Sequence, residues 1–147
     1  MLDRLIQKGL TLIELLITIA LIGMLAAAIM PLGQTWVANT NINKAEKSLF
    51  ETLGKARNEA LRNPEGVIGA TTAAATLKIN NTSKEITVEN AKTTPVVIWK
   101  VKIPAAVTIT LSPTCSTIQL NNNSHNISAC TDYTITASGV TNATGKL

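Results

Sequence analysis

A single carboxylate interrupts an otherwise unbroken apolar run, and no other feature constrains the fold as strongly. From Leu10 to Met30 the only ionisable side chain is Glu14. As an α-helix this run would be about 32 Å long, enough to cross the hydrocarbon core of a bilayer. A charge inside such a helix costs about 2.5–3.5 kcal/mol at its centre, and burial becomes tolerable only when a positive partner is present. The run contains no such partner. Just before it stand Lys8 and Gly9, preceded by Asp3 and Arg4. A cut after Gly9 would create an α-amine on Leu10, close to Glu14, and so supply the missing cation within one molecule or between two.

Arg4 and Lys8 lie on one flank of the run, which by the positive-inside rule puts Met1 in the cytoplasm and the C-terminus outside. A cleaved secretory signal peptide is the plainer reading, with Ala26-Ala27-Ala28 imitating its cleavage site. The length of the run and the presence of Glu14 argue against it. Glu14 also argues against an ordinary anchor in which it would be accidental.

Lys8-Gly9-Leu10-Thr11-Leu12-Ile13-Glu14-Leu15-Leu16 resembles the class III signal of type IV pilins and type II secretion pseudopilins. That pattern has a glycine before the cut, an apolar first mature residue, and then Thr-Leu-Ile-Glu-Leu. Leu10 departs slightly, since Phe or Met is commoner there. The resemblance covers about the first fifth of the chain. It implies a membrane prepilin peptidase that cuts between Gly9 and Leu10 and methylates the new amine of Leu10. It further implies that Glu14 pairs with the N-terminal amine of a neighbouring subunit during filament assembly. Pro31 stands where pilins commonly carry a helix-bending proline. The apolar segment would first anchor the subunit in the bacterial inner membrane as a single pass, with the C-terminal domain in the periplasm. It would then pack helix on helix in a cell-surface filament. The implied partners are the peptidase, other major and minor pilins, and the inner-membrane assembly platform.

Beyond the run, Pro31 and Gly33 are expected to break or bend the helix. An apolar stripe then resumes at spacings of three and four: Ile42, Ala45, Leu49, Leu53, Ala56, Ala60. The charges Lys44, Glu46, Lys47, Glu51, Lys55, Arg57 and Glu59 fall mostly off the stripe and read as a solvated face, with Glu51 and Lys55 spaced as an i,i+4 pair. Asn63-Pro64 should stop the helix.

After Gly66 the chain reads as strands. The segments 76–80 and 85–89 flank Asn81-Thr82-Ser83-Lys84 as a hairpin. Further strands are expected at 96–103, 107–111, 117–120 and 133–137, with threonine on the polar phase of half-buried antiparallel sheets. Only Trp36, Phe50, Trp99 and Tyr133 are aromatic, so the core must be aliphatic. The expected fold is α+β: a long N-terminal α-helix, transmembrane in its first half, packed on a small antiparallel β-sheet or sandwich domain. The segments are a leader at 1–9, a transmembrane and filament-core helix at 10–31, the second half of the helix at 32–63, and a periplasmic β domain at 64–147.

Cys115 and Cys130 are too few for a zinc site. In an oxidising compartment they would form a disulfide that fastens the Asn/Ser-rich loop at 121–128 to the sheet; the alternative is two buried thiols. His125 is the only histidine. With Ser124 or Ser128 and Asp132 it makes a triad on paper, but such short spacing in a polar loop leaves no buried orienting shell. There is no phosphate loop, no metal-ligand spacing and no cofactor motif; the expected function is not enzymatic, and its cofactors and metals are none.

Two further stretches resemble the FimT/FimU/GspH branch of the family. Leu53 to Asn63 is similar to its Ala-Arg-Ser-Glu-Ala region at the end of the long helix, and Ile135 to Gly139 to its final strand and glycine. They imply a minor pilin that supports pilus initiation and thereby twitching, adhesion or DNA uptake. A GspH-like type II secretion pseudopilin shares the same signal and fold. Some relatives of that branch bind DNA through arginines after that glycine. Here the tail offers only Lys146, and phosphate affinity needs several cations acting together, so direct nucleic-acid binding is not expected. A single-span protein with an unrelated periplasmic binding domain is a further reading, and it implies no processing at Gly9.

Overall fold

The first element forms because nearly every residue from Leu12 onward either favours a helix or is apolar enough to need internal backbone hydrogen bonds. A computed structural model describes residues 10–113, 115–138, 140 and 142–147, with Pro31 and Leu32 described by backbone alone. Helix α1 runs from Leu12 to Arg62 as one element. It does not break at Pro31 or Gly33, contrary to one of the two expectations for them: in so apolar a stretch, leaving the helix would strand more backbone groups than proline removes. The leader at 1–9 and Gly139 lie outside the described residues.

The chain divides into two compact units, one ending at Trp36 and the other spanning Val37–Leu147. In the first unit the helix exposes its side chains on every face, Leu12, Ile13, Leu16, Ile17 and Ile22 among them. Its most apolar window has a mean hydropathy of 2.6 and none of it is buried, so it is long and apolar enough to cross a membrane.

In the second unit the helix buries Ile42, Ala45, Leu49, Leu53, Ala56 and Ala60, the stripe read from the sequence. The alanines bring the helix axis close to its neighbours. Thr52 is also fully buried, and its hydroxyl donates to the Ser48 carbonyl at 2.7 Å, which removes the cost of an unpaired polar atom. The helix ends at Asn63, which takes a left-handed conformation (φ 41°) and whose amide donates to the Glu59 carbonyl. The Asn63 side chain then exchanges two 2.8 Å hydrogen bonds with the backbone of Val67, fixing the exit path.

Seven strands follow: β1 (Ala75–Asn80), β2 (Glu85–Asn90), β3 (Val97–Lys102), β4 (Val107–Ser112), β5 (Thr117–Leu120), β6 (Asp132–Ala137) and β7 (Ala143–Lys146). They form two antiparallel sheets, one ordered β3-β2-β1-β5 and the other β4-β6-β7. Strands β1, β2, β4 and β6 alternate buried aliphatics with outward Thr, Lys and Glu. Leu77, Ile86, Val88, Ile109, Ile118 and Ile135 join the helix stripe in one core. The fold is thus α+β with antiparallel sheets, and the hairpin falls at Asn81–Lys84 as expected. One strand was not anticipated. The strands expected from the sequence end at 137, whereas β7 adds a further one that pairs with β6 through Ala143–Lys146. Its residues have little β propensity of their own.

Candidate functional site

The N-terminal site begins two residues before the helix. Leu10 and Thr11 are exposed and non-helical. Thr11 acts as the N-cap: its hydroxyl oxygen accepts the Glu14 amide at 3.3 Å, and the Glu14 carboxylate accepts from the Thr11 amide and the Thr11 hydroxyl, each at 3.4 Å. This reciprocal capping box satisfies orphan donors of the first turn. It also folds Glu14 back toward Leu10, at the end of the helix where the dipole favours negative charge. A cation on the nitrogen of Leu10 would therefore meet a carboxylate already turned toward it.

The second unit holds three arrangements that tie distant segments together. The Tyr133 hydroxyl donates to the Glu46 carboxylate at 2.5 Å, tying β6 to the helix, and the Phe50 ring meets the Tyr133 ring edge-on at 5.5 Å. That hydrogen bond, then burial, then the negative charge of Glu46 push the Tyr133 phenol up to about 12. Glu46 is therefore half-buried and engaged, where the sequence suggested a solvated charge.

Next, the Asn81 side chain mimics a backbone segment. Its amide donates to the Ile109 carbonyl at 2.7 Å and its oxygen accepts the Ile109 amide at 3.0 Å, while Lys84 Nζ donates to the Val107 carbonyl at 2.6 Å. The β1–β2 hairpin thereby closes the outer edge of β4. Finally, Cys115 and Cys130 are joined in a disulfide with Cα atoms 6.5 Å apart. Within the loop it closes, Asn121 gathers the strand exit: its oxygen accepts the Asn123 and His125 amides and its nitrogen donates to the Ala70 carbonyl.

The paper triad is not assembled. His125 is exposed, the Ser128 hydroxyl donates to Asn126, and the Asp132 carboxylate accepts from Thr131. Among the described residues, no group of three or more His, Cys, Asp or Glu could hold a metal ion. Lys55 does not form an ion pair with Glu51; its ammonium lies over the Trp99 ring, 4.6 Å from the centroid. Neither this contact nor the Tyr133–Glu46 bond leaves a local signal in the sequence, because each joins segments far apart along the chain.

Residues 4–30 match the family described as the prokaryotic N-terminal methylation motif. The chain is 37% identical over 89 residues to fimbrial protein Q of Moraxella bovis, covering 50% of this chain and 54% of that protein. It is 40% identical over 65 residues to a fimbrial protein of Pseudomonas aeruginosa, covering 44% and 42% respectively. It is 52% identical over 51 residues to fimbrial protein EcpB of Eikenella corrodens, covering 35% and 30%. The similarity spans about half or less of the length of these relatives. No solved structure matches. The methylation motif and the fimbrial relatives support a type IV pilin.

Proposed function

We propose that this type IV pilin is made as an inner-membrane prepilin, cut between Gly9 and Leu10 and methylated on the amine of Leu10. The observation that carries the proposal is the methylation motif at residues 4–30, within which Glu14 turns back toward Leu10. In the membrane and in the filament alike, that carboxylate needs a cation, and the new amine of a neighbouring subunit provides one. On this reading residues 1–9 are the leader, 10–31 the anchor and filament-core helix with Pro31 as its bending position, 32–63 the supporting half of the helix, and 64–147 a periplasmic domain. The role is structural: incorporation into a cell-surface pilus alongside other pilins, after export through an assembly platform.

Within the family, the Leu53–Asn63 stretch supports a FimT/FimU-like minor pilin that initiates or caps assembly and so serves twitching, adhesion or DNA uptake. The fimbrial names of the relatives favour a pilus over a GspH-like secretion pseudopilin. N-terminal mass spectrometry of the protein from native membranes and sheared filaments tests the proposal. A chain beginning at N-methylated Leu10 in both fractions is the expected result. A start near Ile29 would instead identify a secretory signal peptide, and an intact Met1 in cells with an active prepilin peptidase would identify a plain anchor.

A further inference from the structure

Four strands form the edges of the two sheets, and the chain treats them unequally. The edge of β4 is closed by Asn81 and Lys84. The edge of β5 is closed by the disulfide loop, where the Ile127 amide donates to the Gln119 carbonyl at 2.9 Å and Leu120 bridges Asn126. Among the described residues β3 and β7 keep open edges. Strand β3 is the longer and the more apolar. Val96, Val97 and Ile98 are 49%, 48% and 41% exposed. The Ile103 amide donates to the Lys84 carbonyl; with the antiparallel alternation, this turns the N–H and C=O of Lys100 and Lys102 away from β2. Unpaired main-chain groups on an exposed strand are a template for another strand.

A groove of about 350 Å³ runs beside this edge, between Ile98 and Trp99 of β3 and Lys55, Asn58, Glu59 and Arg62 of the helix. The register between β2 and β3 shifts at Val88/Glu89, leaving Ile98 as a bulged residue beside the groove. Strand β3 itself carries two lysines, Lys100 and Lys102, and no acid. Lys100 pairs with Glu85 of β2 at 2.9 Å, and on the helix side of the groove Glu59 contacts Arg62 at 3.9 Å. Lys55 rests on Trp99, and Lys102 has no ion pair among the described residues.

We infer that the open edge of β3 and the adjoining groove receive an extended, acidic segment of a different protein chain. That segment would add as a strand, with apolar residues on the helix face over Ile98 and Trp99 and carboxylates on the opposite face toward Lys100 and Lys102. Charge complementarity selects this occupant over a second copy. Pairing β3 with β3 would bring lysines together, and the other open edge, β7, carries Lys146 and no acid. The same lysines therefore resist self-association and favour an acidic partner. This inference goes beyond filament membership and holds whether or not processing occurs at Gly9.

Amide hydrogen exchange on the full-length protein in detergent micelles tests it, using a six-residue blocked peptide that alternates valine and glutamate. The expected result is slowing of the Lys100 and Lys102 amides by roughly tenfold or more, the scale of added ladder hydrogen bonds. The same peptide with alternate backbone nitrogens methylated, and a valine–lysine peptide, should give no protection. Lys100→Pro, which removes an outward N–H, and the double variant Lys100→Gln/Lys102→Gln should each weaken the effect. The double variant keeps the backbone and serves if the proline disturbs folding. The inference is overturned by equal protection from the methylated or the lysine peptide, by no protection at millimolar peptide, or by concentration-dependent protection of β3 without peptide, which would name a second copy as occupant.

Discussion

Tyr133 and Glu46, separated by 87 residues, share the 2.5 Å hydrogen bond that fastens the second sheet to the helix. The phenol is only 4% exposed, so its donor must be satisfied inside the protein. Directly across the ladder from Tyr133 stands Gly145 of β7, over whose Cα the ring lies.

The single tyrosine makes this contact directly observable. Because the folded-state value is raised to about 12 from the ordinary value of about 10, the neutral phenol stabilises the fold. That contribution is whole below about pH 10 and is lost as pH rises to about 12. Absorbance titration of tyrosinate should place the midpoint near the raised value in native protein and near 10 in denaturant. Tyr133→Phe should lower unfolding stability by about 1–3 kcal/mol in chemical denaturation while keeping the edge contact with Phe50.

Gly145→Ala should act through the same tyrosine. An added Cβ would fall 2.5 Å from the hydroxyl oxygen and 2.7–2.8 Å from ring carbons, so the ring must move. A loss of about 1–3 kcal/mol is expected, together with a downward shift of the tyrosinate midpoint. An unchanged midpoint would show that the ring had not been displaced.

Asn81→Ala removes both bonds to Ile109 and leaves that residue's outward amide and carbonyl without partners. A loss of about 1–3 kcal/mol and faster exchange of the Ile109 amide are expected. Asn81→Asp should be no milder, because its carboxylate would face the Ile109 carbonyl that the native amide donates to.

Reduction of the Cys115–Cys130 bond releases a loop of separation 15. The chain-entropy estimate for such a loop is about 3 kcal/mol. Denaturant unfolding with and without a reductant should differ by that order, with the loss concentrated at the β5 edge that the loop covers.

Glu14→Ala should leave membrane insertion intact and sharply reduce the protein recovered in sheared filaments. Removing a carboxylate lowers the insertion cost, so a failure to insert would point to a role other than ion pairing. Normal recovery in filaments would remove the ion-pair account.

The local and periodic features were legible without coordinates. The apolar run with its one carboxylate, the helix stripe from Ile42 to Ala60, the stop at Asn63, the hairpin at Asn81–Lys84 and the alternation of the strands all follow from neighbour-to-neighbour spacing. Each is a property of a stretch a few turns or one strand long, and the sequence alone determined them. What tertiary structure decided are contacts between distant segments: Tyr133 with Glu46, Asn81 with Ile109, Lys55 with Trp99, and the pairing of β7. The strand β7 is the clearest case. Ala-Thr-Gly-Lys has little tendency to extend by itself, and it forms a strand because β6 offers a ladder and Gly145 leaves room for the Tyr133 ring. Periodicity tells a side chain which face it lies on, but the identity of its partner depends on how the two sheets and the helix close around one core.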